Sequence, residues 1–413
     1  MTGPHHLFEV YGIEIERMVV DAQTLAVKPV VDSILADFAQ AAVGVEDVED
    51  GAIAWSNELV AHVVEAKNNG PVAALEGVAA AFAASTKKML DVAKRHGARF
   101  MPTGMHPWMD PRTETRIWPH ASSVYYNEYH RIFDCHRHGW ANLQSVHLNL
   151  PFEGEDEFGR LMAAVRIVLP LIPALAASTP IVEGRTNGRL DNRLDHYKTN
   201  AERTPSMAGD IIVEPIFEME RYEREVLAPI TRELEEVGTL TSMIARDWTN
   251  ARGAIARFER SAIEVRLIDA QECNHADVGV AALVAVAIQK LCEEQPSSTN
   301  TQRSARQSSL IAQLDRCVAE GPDARLSSTL VEVLGNRALR SAGDFWSMVT
   351  ESWFDGPAEV EPYIDVIRRH GTLAQRILAA TQTATGADPE RAQLVKVYER
   401  LCDALESETS FVA

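Results

Sequence analysis

The stretch that decides the fold is LFEVYGIEIERMVVD, residues 7–21. Polar and apolar residues alternate in it and β-branched residues are frequent, so it is predicted to form a strand. Because successive side chains of a strand point to opposite faces, Glu14 and Glu16 share one face. Two such carboxylates on an inward face are costly unless a cation or another partner lies between them. The segment therefore predicts either a cation site or a solvated acidic face.

Two further segments are predicted to be strands that carry ionisable residues. In LQSVHLNLPF, residues 143–152, His147 lies on the polar face. In SAIEVRLIDAQE, residues 261–272, Glu264 and Arg266 lie on one face and apolar side chains lie on the other. Each of these strands thus places charge on one face and apolar residues on the opposite one.

Helices are predicted between and after the strands. Their composition and spacing indicate helices over 72–97, 159–177, 220–246 and 277–294, and several more within 310–413. The segments predicted to be loops are the proline-rich 101–122, the glycine-punctuated 184–193 and the polar 297–309. Ionisable strands separated by long helices favour an α+β fold, in which an antiparallel sheet is backed by helices.

Composition and charge narrow the class of protein. The chain has 413 residues, of which 46% are hydrophobic and 24% charged, which excludes fibrous and globally disordered chains. Its formal net charge of −19 repels a phosphate backbone and an anionic membrane surface. We therefore expect small-molecule substrates rather than nucleic acid or membrane partners. The sequence leaves a homo-oligomer open.

The cysteines and the apolar segments indicate the compartment. Five scattered cysteines without a CxxC pair fit a reducing cytoplasm better than a disulfide framework. The opening MTGPHHLFEVYGIEIE has no apolar signal-peptide core. The longest apolar stretch, residues 167–182, contains three prolines and is short for a membrane span, so we expect it to be buried. We expect a cytoplasmic protein.

No GxGxxG or GxxxxGK[ST] motif supports a Rossmann or P-loop nucleotide site.

Five carboxylates and one imidazole lie in or beside apolar segments and form the candidate metal centre. An oxygen-rich set with one imidazole suits Mg²⁺ or Mn²⁺ better than Zn²⁺. The seven-residue spacing of Glu58 and Glu65 fits one face of a helix or a strand with a bulge, and the sequence leaves this open. Solvated glutamates and a structural histidine are the alternative interpretation. The candidates are Glu14, Glu16, Glu58, Glu65, His147 and Glu264.

Arginines form the second group of candidates. Arg266, beside Glu264, could neutralise a transferring phosphoryl group, or it could form a salt bridge across the sheet. Arg185 and Arg193 lie in the loop GRTNGRLDNR, where solvated arginines are the alternative, and Arg252 completes the group.

A third cluster, HRIFDCHRH at residues 130–138, combines histidines with a cysteine. Its spacing matches no standard zinc pattern, so a polar segment before the next strand is the preferred interpretation and a metal site the alternative.

Several segments, in this order, resemble motifs of the glutamate–cysteine ligases of family 2, which are ATP-dependent carboxylate–amine ligases. YGIEIERMVVD resembles the opening strand of the family, and ELVAHVVEAKNN resembles its second pair of glutamates. PTGMHPW, LQSVHLN, ALAASTPIVEGRTNGRLDNR and AIEVRLIDAQ resemble its later motifs. The resemblance covers residues 8–290, while the last 120 or so residues match only as generic helix. In two places the sequence departs from the family pattern: Gly104-Met105-His106-Pro107, and a single histidine in the strand at 143–152.

The resemblance implies a glutamine-synthetase-like antiparallel sheet that forms a funnel lined by metal-binding glutamates. It implies a catalytic domain over residues 1–295 and a helical C-terminal region over 296–413 packed on it. By motif, the candidate metal centre would hold two or three Mg²⁺ ions, with Mn²⁺ as a substitute. Glu264 and Arg266 would be catalytic, Arg266 would contact phosphates, and Arg193 and Arg185 would engage substrate or nucleotide.

The implied reaction has ATP phosphorylate a carboxylate, which an amine then attacks. No protein nucleophile is required, and no Ser-His-Asp or Cys-His signature is present. The first hypothesis is the ligation of the γ-carboxylate of glutamate to cysteine, a step of glutathione biosynthesis. The second keeps the chemistry with another amino acid or amine. The third is a nucleotide- or metal-binding sensor without catalysis. The sequence does not separate the first two.

Overall fold

The computed structural model describes residues 4–239, 249–381 and 388–413. Ten strands lie within these ranges: β1 (Gly12–Asp21), β2 (Asp47–Asp50), β3 (Ile53–Asn57), β4 (Val63–Asn68), β5 (Ala98–Met101), β6 (Ser145–Pro151), β7 (Ile181–Val182), β8 (Arg185–Thr186), β9 (Ala254–Arg257) and β10 (Ala262–Asp269).

The same ranges contain eighteen α-helices. The first nine are α1 (Val31–Ala39), α2 (Val78–Arg95), α3 (Pro111–Glu114), α4 (Ser123–Phe133), α5 (His138–Ala141), α6 (Gly154–Val168), α7 (Pro173–Ala176), α8 (Asn192–Tyr197) and α9 (Met219–Tyr222). The others are α10 (Ala228–Glu236), α11 (Asn274–Cys292), α12 (Thr299–Arg303), α13 (Gln307–Glu320), α14 (Ser328–Val333), α15 (Ala342–Met348), α16 (Glu361–His370), α17 (Leu373–Thr381) and α18 (Arg391–Ser407).

Eight strands form one antiparallel sheet that organises the molecule. Its order is β2-β3-β4-β1-β6-β10-β9, with β5 paired to the C-terminal half of β1. The first long strand of the sequence is therefore central, between strands that come from residues far downstream. The short strands β7 and β8 form a separate hairpin. The predicted α+β fold with an antiparallel sheet is confirmed.

Helices cover the apolar face of the sheet. Ile13 and Ile15 of β1 and Val265 of β10 are fully buried in one core. Helix α11 packs against β1 and β6 and lies between α2 and α6. By length and composition α11 could cross a membrane, but 78% of its most apolar window is buried inside the protein. It is the central core helix of this layer.

Several element predictions need correction. β1 begins at Gly12 rather than at residue 7. The predicted loop over 101–122 contains α3, and the predicted flexible turn over 297–309 contains α12, whose N-terminus Ser298 caps. The predicted helix over 220–246 is α9, a π-helical turn and α10, and its end lies outside the described residues. In the first two segments a capping side chain starts a short helix that composition did not reveal.

The prediction that the apolar stretch over 167–182 is buried is confirmed. The apolar stretch over 167–182 is buried throughout, except that Val182 is half-buried. All five cysteines are free thiols and buried. The helices after residue 296 pack against the preceding part of the chain: α13 on α7, α16 on α11 and α18 on β5. The division of the chain at residue 295 stays a prediction.

Candidate functional site

The polar face of the sheet lines a cavity of about 980 Å³. The strand register brings the predicted residues together there. Glu14 of β1 lies opposite His147 of β6, and Glu16 lies opposite Glu65 of β4. Glu14 and Glu16 therefore share one face, as alternation predicted, and this face is inside the protein rather than on its surface.

Glu58 and Glu65 meet through a hairpin, which settles the question that the seven-residue spacing left open. Glu58 directly follows β3, and Glu65 lies in β4, the next strand of the sheet. Ser56 of β3 pairs with Glu65 and donates a hydrogen bond of 3.1 Å to its carboxylate. The spacing comes from the return of the chain rather than from one face of a helix or from a bulged strand.

Five of the six candidate metal ligands form two groups that share Glu65. One group is Glu14, Glu65 and His147, and the other is Glu16, Glu58 and Glu65. In each group, one ligand atom of every residue lies within 4.8 Å of the others. This is the spacing at which two cations could each take three protein ligands, with Glu65 between them.

For Glu58 and Glu65, nearby positive charge does not compensate burial and the repulsion of neighbouring carboxylates. Burial, followed by repulsion from Glu65 and Glu16, raises the pKa of Glu58 well above its usual value. Burial, followed by the charge of Glu14, raises the pKa of Glu65 to about 7. Lys67, 3.4 Å from Glu65, only partly offsets this. Buried carboxylates that repel one another fit the binding of divalent cations, so the residues present fit Mg²⁺ or Mn²⁺.

Glu14 is already stabilised by His147. Burial opposes the ionisation of Glu14, but the hydrogen bond with His147 and its charge, together with the charges of Arg257 and Arg260, outweigh burial and lower the pKa of Glu14 to about 2. His147 Nδ1 lies 3.1 Å from Glu14, and Nε2 lies 2.8 Å from Ser145 Oγ, which itself donates to Glu16. Although burial opposes it, the hydrogen bond with Glu14 raises the pKa of His147. As a metal ligand His147 would be neutral, with one of these ring nitrogens facing the cation.

Glu264 lies in the same cavity but outside the two groups. It is fully buried, and Arg257 donates to it through Nε at 2.8 Å and Nη2 at 2.7 Å. Arg266 Nη1 lies 3.3 Å from the other oxygen of Glu264. Glu264 thus organises two arginines, and its role as a metal ligand stays a prediction. Sequence reasoning missed Arg257, because the four-residue β9 was not recognised as a strand of the sheet.

Arg193 and Arg185 have different surroundings. Arg193 is buried, lines the cavity and donates to Asp269 at 2.5 Å. Arg185 is exposed on the β7–β8 hairpin and is not among the residues that line the cavity. Arg252 is buried and paired with Glu214 at 2.7 Å, also outside the cavity lining. The structure therefore brings Arg193 and Arg266 to the candidate centre and leaves Arg185 apart, and the roles of all three stay predictions.

Aromatic side chains form a further part of the cavity wall, and the sequence analysis did not single them out. They come from α4, α5 and α8. These are Tyr126, Tyr129, Trp140 and Tyr197. Trp140 stacks on Phe133, with ring centroids 5.1 Å apart, and donates to the carbonyl of Asn200. An isolated aromatic residue in a helix resembles a core residue, so only the folded arrangement shows this wall.

The histidine cluster is only partly assembled. His130, Asp134 and His136 each have a ligand atom within 4.8 Å of the others. However, Asp134 is paired with Arg112 at 2.7 Å, and His130 Nδ1 accepts a hydrogen bond from the backbone N–H of Cys135. These contacts already engage two of the three groups, in keeping with the preferred interpretation as a polar segment.

Comparisons with known proteins bear on the family and the fold of the chain. The profile of glutamate-cysteine ligase family 2 (GCS2) matches residues 10–394. An uncharacterized protein of Archaeoglobus fulgidus is 28% identical over 409 residues, which cover 98% of each chain. The crystal structure of a glutamate–cysteine ligase from Francisella tularensis in complex with AMP superposes with a TM-score of 0.60. That match covers 97% of this chain and 93% of the other at 11% identity, and so bears on the fold alone.

Proposed function

Because the chain belongs to glutamate–cysteine ligase family 2, a family of carbon–nitrogen ligases, we propose that it is an ATP- and Mg²⁺-dependent ligase that joins the γ-carboxylate of glutamate to cysteine. In this reaction the γ-phosphoryl group of ATP passes to the carboxylate and ADP leaves. The amine then attacks the activated carbonyl and phosphate is released. The protein needs to align and neutralise charges rather than supply a nucleophile.

The observation that supports this proposal best is that an acidic wall and a basic wall line the same cavity. The acidic wall consists of Glu14, Glu16, Glu58 and Glu65, and the basic wall is formed by Arg193, Arg257 and Arg266. A triphosphate carries more negative charge than three arginines neutralise, while the acidic wall by itself repels it. Divalent cations held by the carboxylates of the acidic wall would neutralise both sets of negative charge.

The residues divide between two tasks. Glu14, Glu16, Glu58, Glu65 and His147 would hold the cations, which supply charge neutralisation on phosphate oxygens when bound. Arg266 presents its guanidinium toward the same space and is held by Glu264 at 3.3 Å. A guanidinium at this position can donate to phosphate oxygens in a fixed geometry.

The volume of the cavity suits a nucleotide together with small substrates. Pockets that enclose one drug-sized ligand measure about 300–1,000 Å³, so about 980 Å³ is at the upper end of that range. The aromatic side chains of Tyr129, Trp140 and Tyr197 line the same space. A small polar acid and amine would fill only part of it, which leaves room for ATP.

The test is phosphate release by the purified protein with ATP and Mg²⁺ over a panel of amino acids and amines. We expect release that needs glutamate and cysteine together, with γ-glutamylcysteine identified by mass spectrometry. Glu16→Gln is a suitable inactive reference, because it removes one carboxylate of the acidic wall with little change of volume. Phosphate release that needs a different acid and amine would show that the substrates are not glutamate and cysteine, while the ligase chemistry would still hold.

The second candidate is a sensor that binds nucleotide or metal without turnover. A protein that binds Mg²⁺–ATP but releases no phosphate with any acid–amine pair would favour it. The complete set of acidic side chains at the cavity argues for catalysis, since binding alone does not need two groups that share Glu65.

A further inference from the structure

Asp269 is the fully buried last residue of β10, the strand that also carries Arg266 of the cavity. Its Oδ1 accepts a hydrogen bond of 2.5 Å from Arg193 Nε. Its Oδ2 accepts bonds from Ser178 N, Ser178 Oγ and Thr179 Oγ1 at 2.9, 3.2 and 3.2 Å. The carboxylate is thus fully engaged, which offsets the cost of burying it.

The two ends of Arg193 are fixed by this arrangement. Its backbone N–H donates to Thr179 Oγ1 at 3.1 Å, while Nε binds Asp269 and Nη2 donates to the carbonyl of Arg266 at 3.2 Å. Asp191 caps α8 by accepting from Leu194 N and so sets where this helix begins. Among the described residues, no hydrogen bond is formed by Nη1, the remaining guanidinium nitrogen of Arg193.

Close packing leaves little freedom for another arrangement. Gly104 lies against Asp269, and a Cβ at this glycine would be 2.8 Å from Asp269 Cγ. The N–H of Gly104 donates to Ser178 Oγ, so the glycine loop is part of the same network. Three chain segments, around residues 104, 178 and 193, thus converge on one carboxylate at the end of a sheet strand.

We propose that Asp269 is a positioning residue for the ligase reaction, which holds Arg193 so that Nη1 alone meets the anionic group of a substrate in the cavity. This deepens the proposed function and rests on it. Arg193 is then a single-nitrogen donor whose other two nitrogens belong to the protein scaffold. The ligand at Nη1 is a carboxylate or phosphate oxygen, since the guanidinium is permanently charged.

Steady-state kinetics of Asp269→Asn and Thr179→Val tests the proposal. The first substitution removes the charge that faces Arg193 and can place an amide donor against the N–H of Ser178. The second removes two hydrogen bonds at nearly constant shape. We expect KM for one substrate, either ATP or the acid, to rise about 10–100-fold in the first variant and about 2–10-fold in the second. KM for that substrate should rise more than kcat falls.

Glu272→Gln is the matched control. Glu272 forms a buried pair with Arg376 at 2.5 Å and is not among the residues that line the cavity. Its substitution should lower the thermal midpoint as Asp269→Asn does, but leave both KM values unchanged. An equal rise of KM in the control would mean that KM reports general loosening of the fold, which overturns the positioning role.

Chemical rescue separates anchoring from mere stability. Arg193→Ala leaves a space in front of Asp269, and added guanidinium ion should bind there and restore activity. The double variant Arg193→Ala/Asp269→Asn should not be rescued. Equal rescue of both variants would overturn the proposal, as would unchanged KM values in folded Asp269→Asn. If that variant does not fold, Thr179→Val and the rescue of Arg193→Ala decide.

A second readout does not depend on turnover. Low-millimolar guanidinium should raise the thermal midpoint of Arg193→Ala relative to an equal concentration of sodium chloride. The same addition should not raise the midpoint of the double variant. If the unmodified protein shows no ligase activity, the proposed function fails, while this thermal shift still tests the anchor.

Discussion

The substitutions Glu65→Gln and Glu14→Gln should change stability in opposite directions, although the chemistry of the change is the same. Glu65 lies among carboxylates and has its pKa raised from 4.5 to about 7, with burial as the main cause and the charge of Glu14 second. For Glu14, burial is outweighed by the hydrogen bond from His147 and its charge, and the pKa falls from 4.5 to about 2. Gln is neutral at every pH. Glu65→Gln therefore removes the cost of burying a charged carboxylate, whereas Glu14→Gln removes a favourable charge interaction.

The magnitude follows from the size of these shifts. A shift of one pKa unit corresponds to about 1.4 kcal/mol, so each substitution should change the free energy of unfolding by about 3 kcal/mol. For Glu65, the pKa is higher in the folded state than in the unfolded state. Its ionisation therefore begins to destabilise the fold as pH rises from about 4.5, and the full destabilisation is reached above about 7. For Glu14, the folded-state pKa is the lower one, so its contribution is present above about 4.5 and is lost as pH falls toward 2.

The assay is chemical denaturation in EDTA at pH 5 and pH 8, followed by fluorescence and circular dichroism. We expect Glu65→Gln to unfold at a higher denaturant concentration than the unmodified protein at pH 8, with only a small difference at pH 5. Glu14→Gln should unfold at a lower concentration at both values. Excess Mn²⁺ should stabilise the unmodified protein more than either variant. Two variants that shift in the same direction at pH 8 would refute the charge assignment.

Three further substitutions test individual roles. Glu264→Gln should abolish turnover while the fold survives, because Arg257 and Arg266 lose the charge that aligns them; wild-type activity at low Mg²⁺ would contradict this. His147→Ala should raise the Mg²⁺ concentration needed for half-maximal rate more than the KM for glutamate, and an unchanged metal dependence would return His147 to a structural role. Arg193→Lys should lower kcat/KM by about 10–100-fold, since an ammonium cannot bind Asp269 and the Arg266 carbonyl together; near-native values for both ATP and glutamate would remove Arg193 from the site.

Alternation along strands made most of the polar face predictable. Glu14, Glu16, His147 and Glu264 lie where a period of two places them, because the strands are regular there. The hairpin that brings Glu58 to Glu65 was not predictable, because one spacing fits several local structures.

Contacts that depend on tertiary structure were not visible in the sequence. The pairing of Arg257 with Glu264 requires that β9 be recognised as a strand, and it has only four residues. The anchoring of Arg193 by Asp269 joins residues 76 positions apart. Arg185 and Arg193 lie in the same loop sequence, yet one is exposed and the other buried, which local composition does not distinguish.

Because β1 lies in the middle of the sheet, a newly made chain can complete the sheet only after the later strands beside it have been synthesised. Strand β1 leaves the ribosome before its neighbours β4 and β6, and β10 ends only at Asp269. At about 5–20 residues per second, the interval between β1 and β10 is on the order of 10–50 s. During that time the acidic face lacks Arg257 and Arg266, which β9 and β10 carry. Fragments that end before β10 should therefore expose unpaired strand edges and aggregate rather than accumulate as smaller folded units.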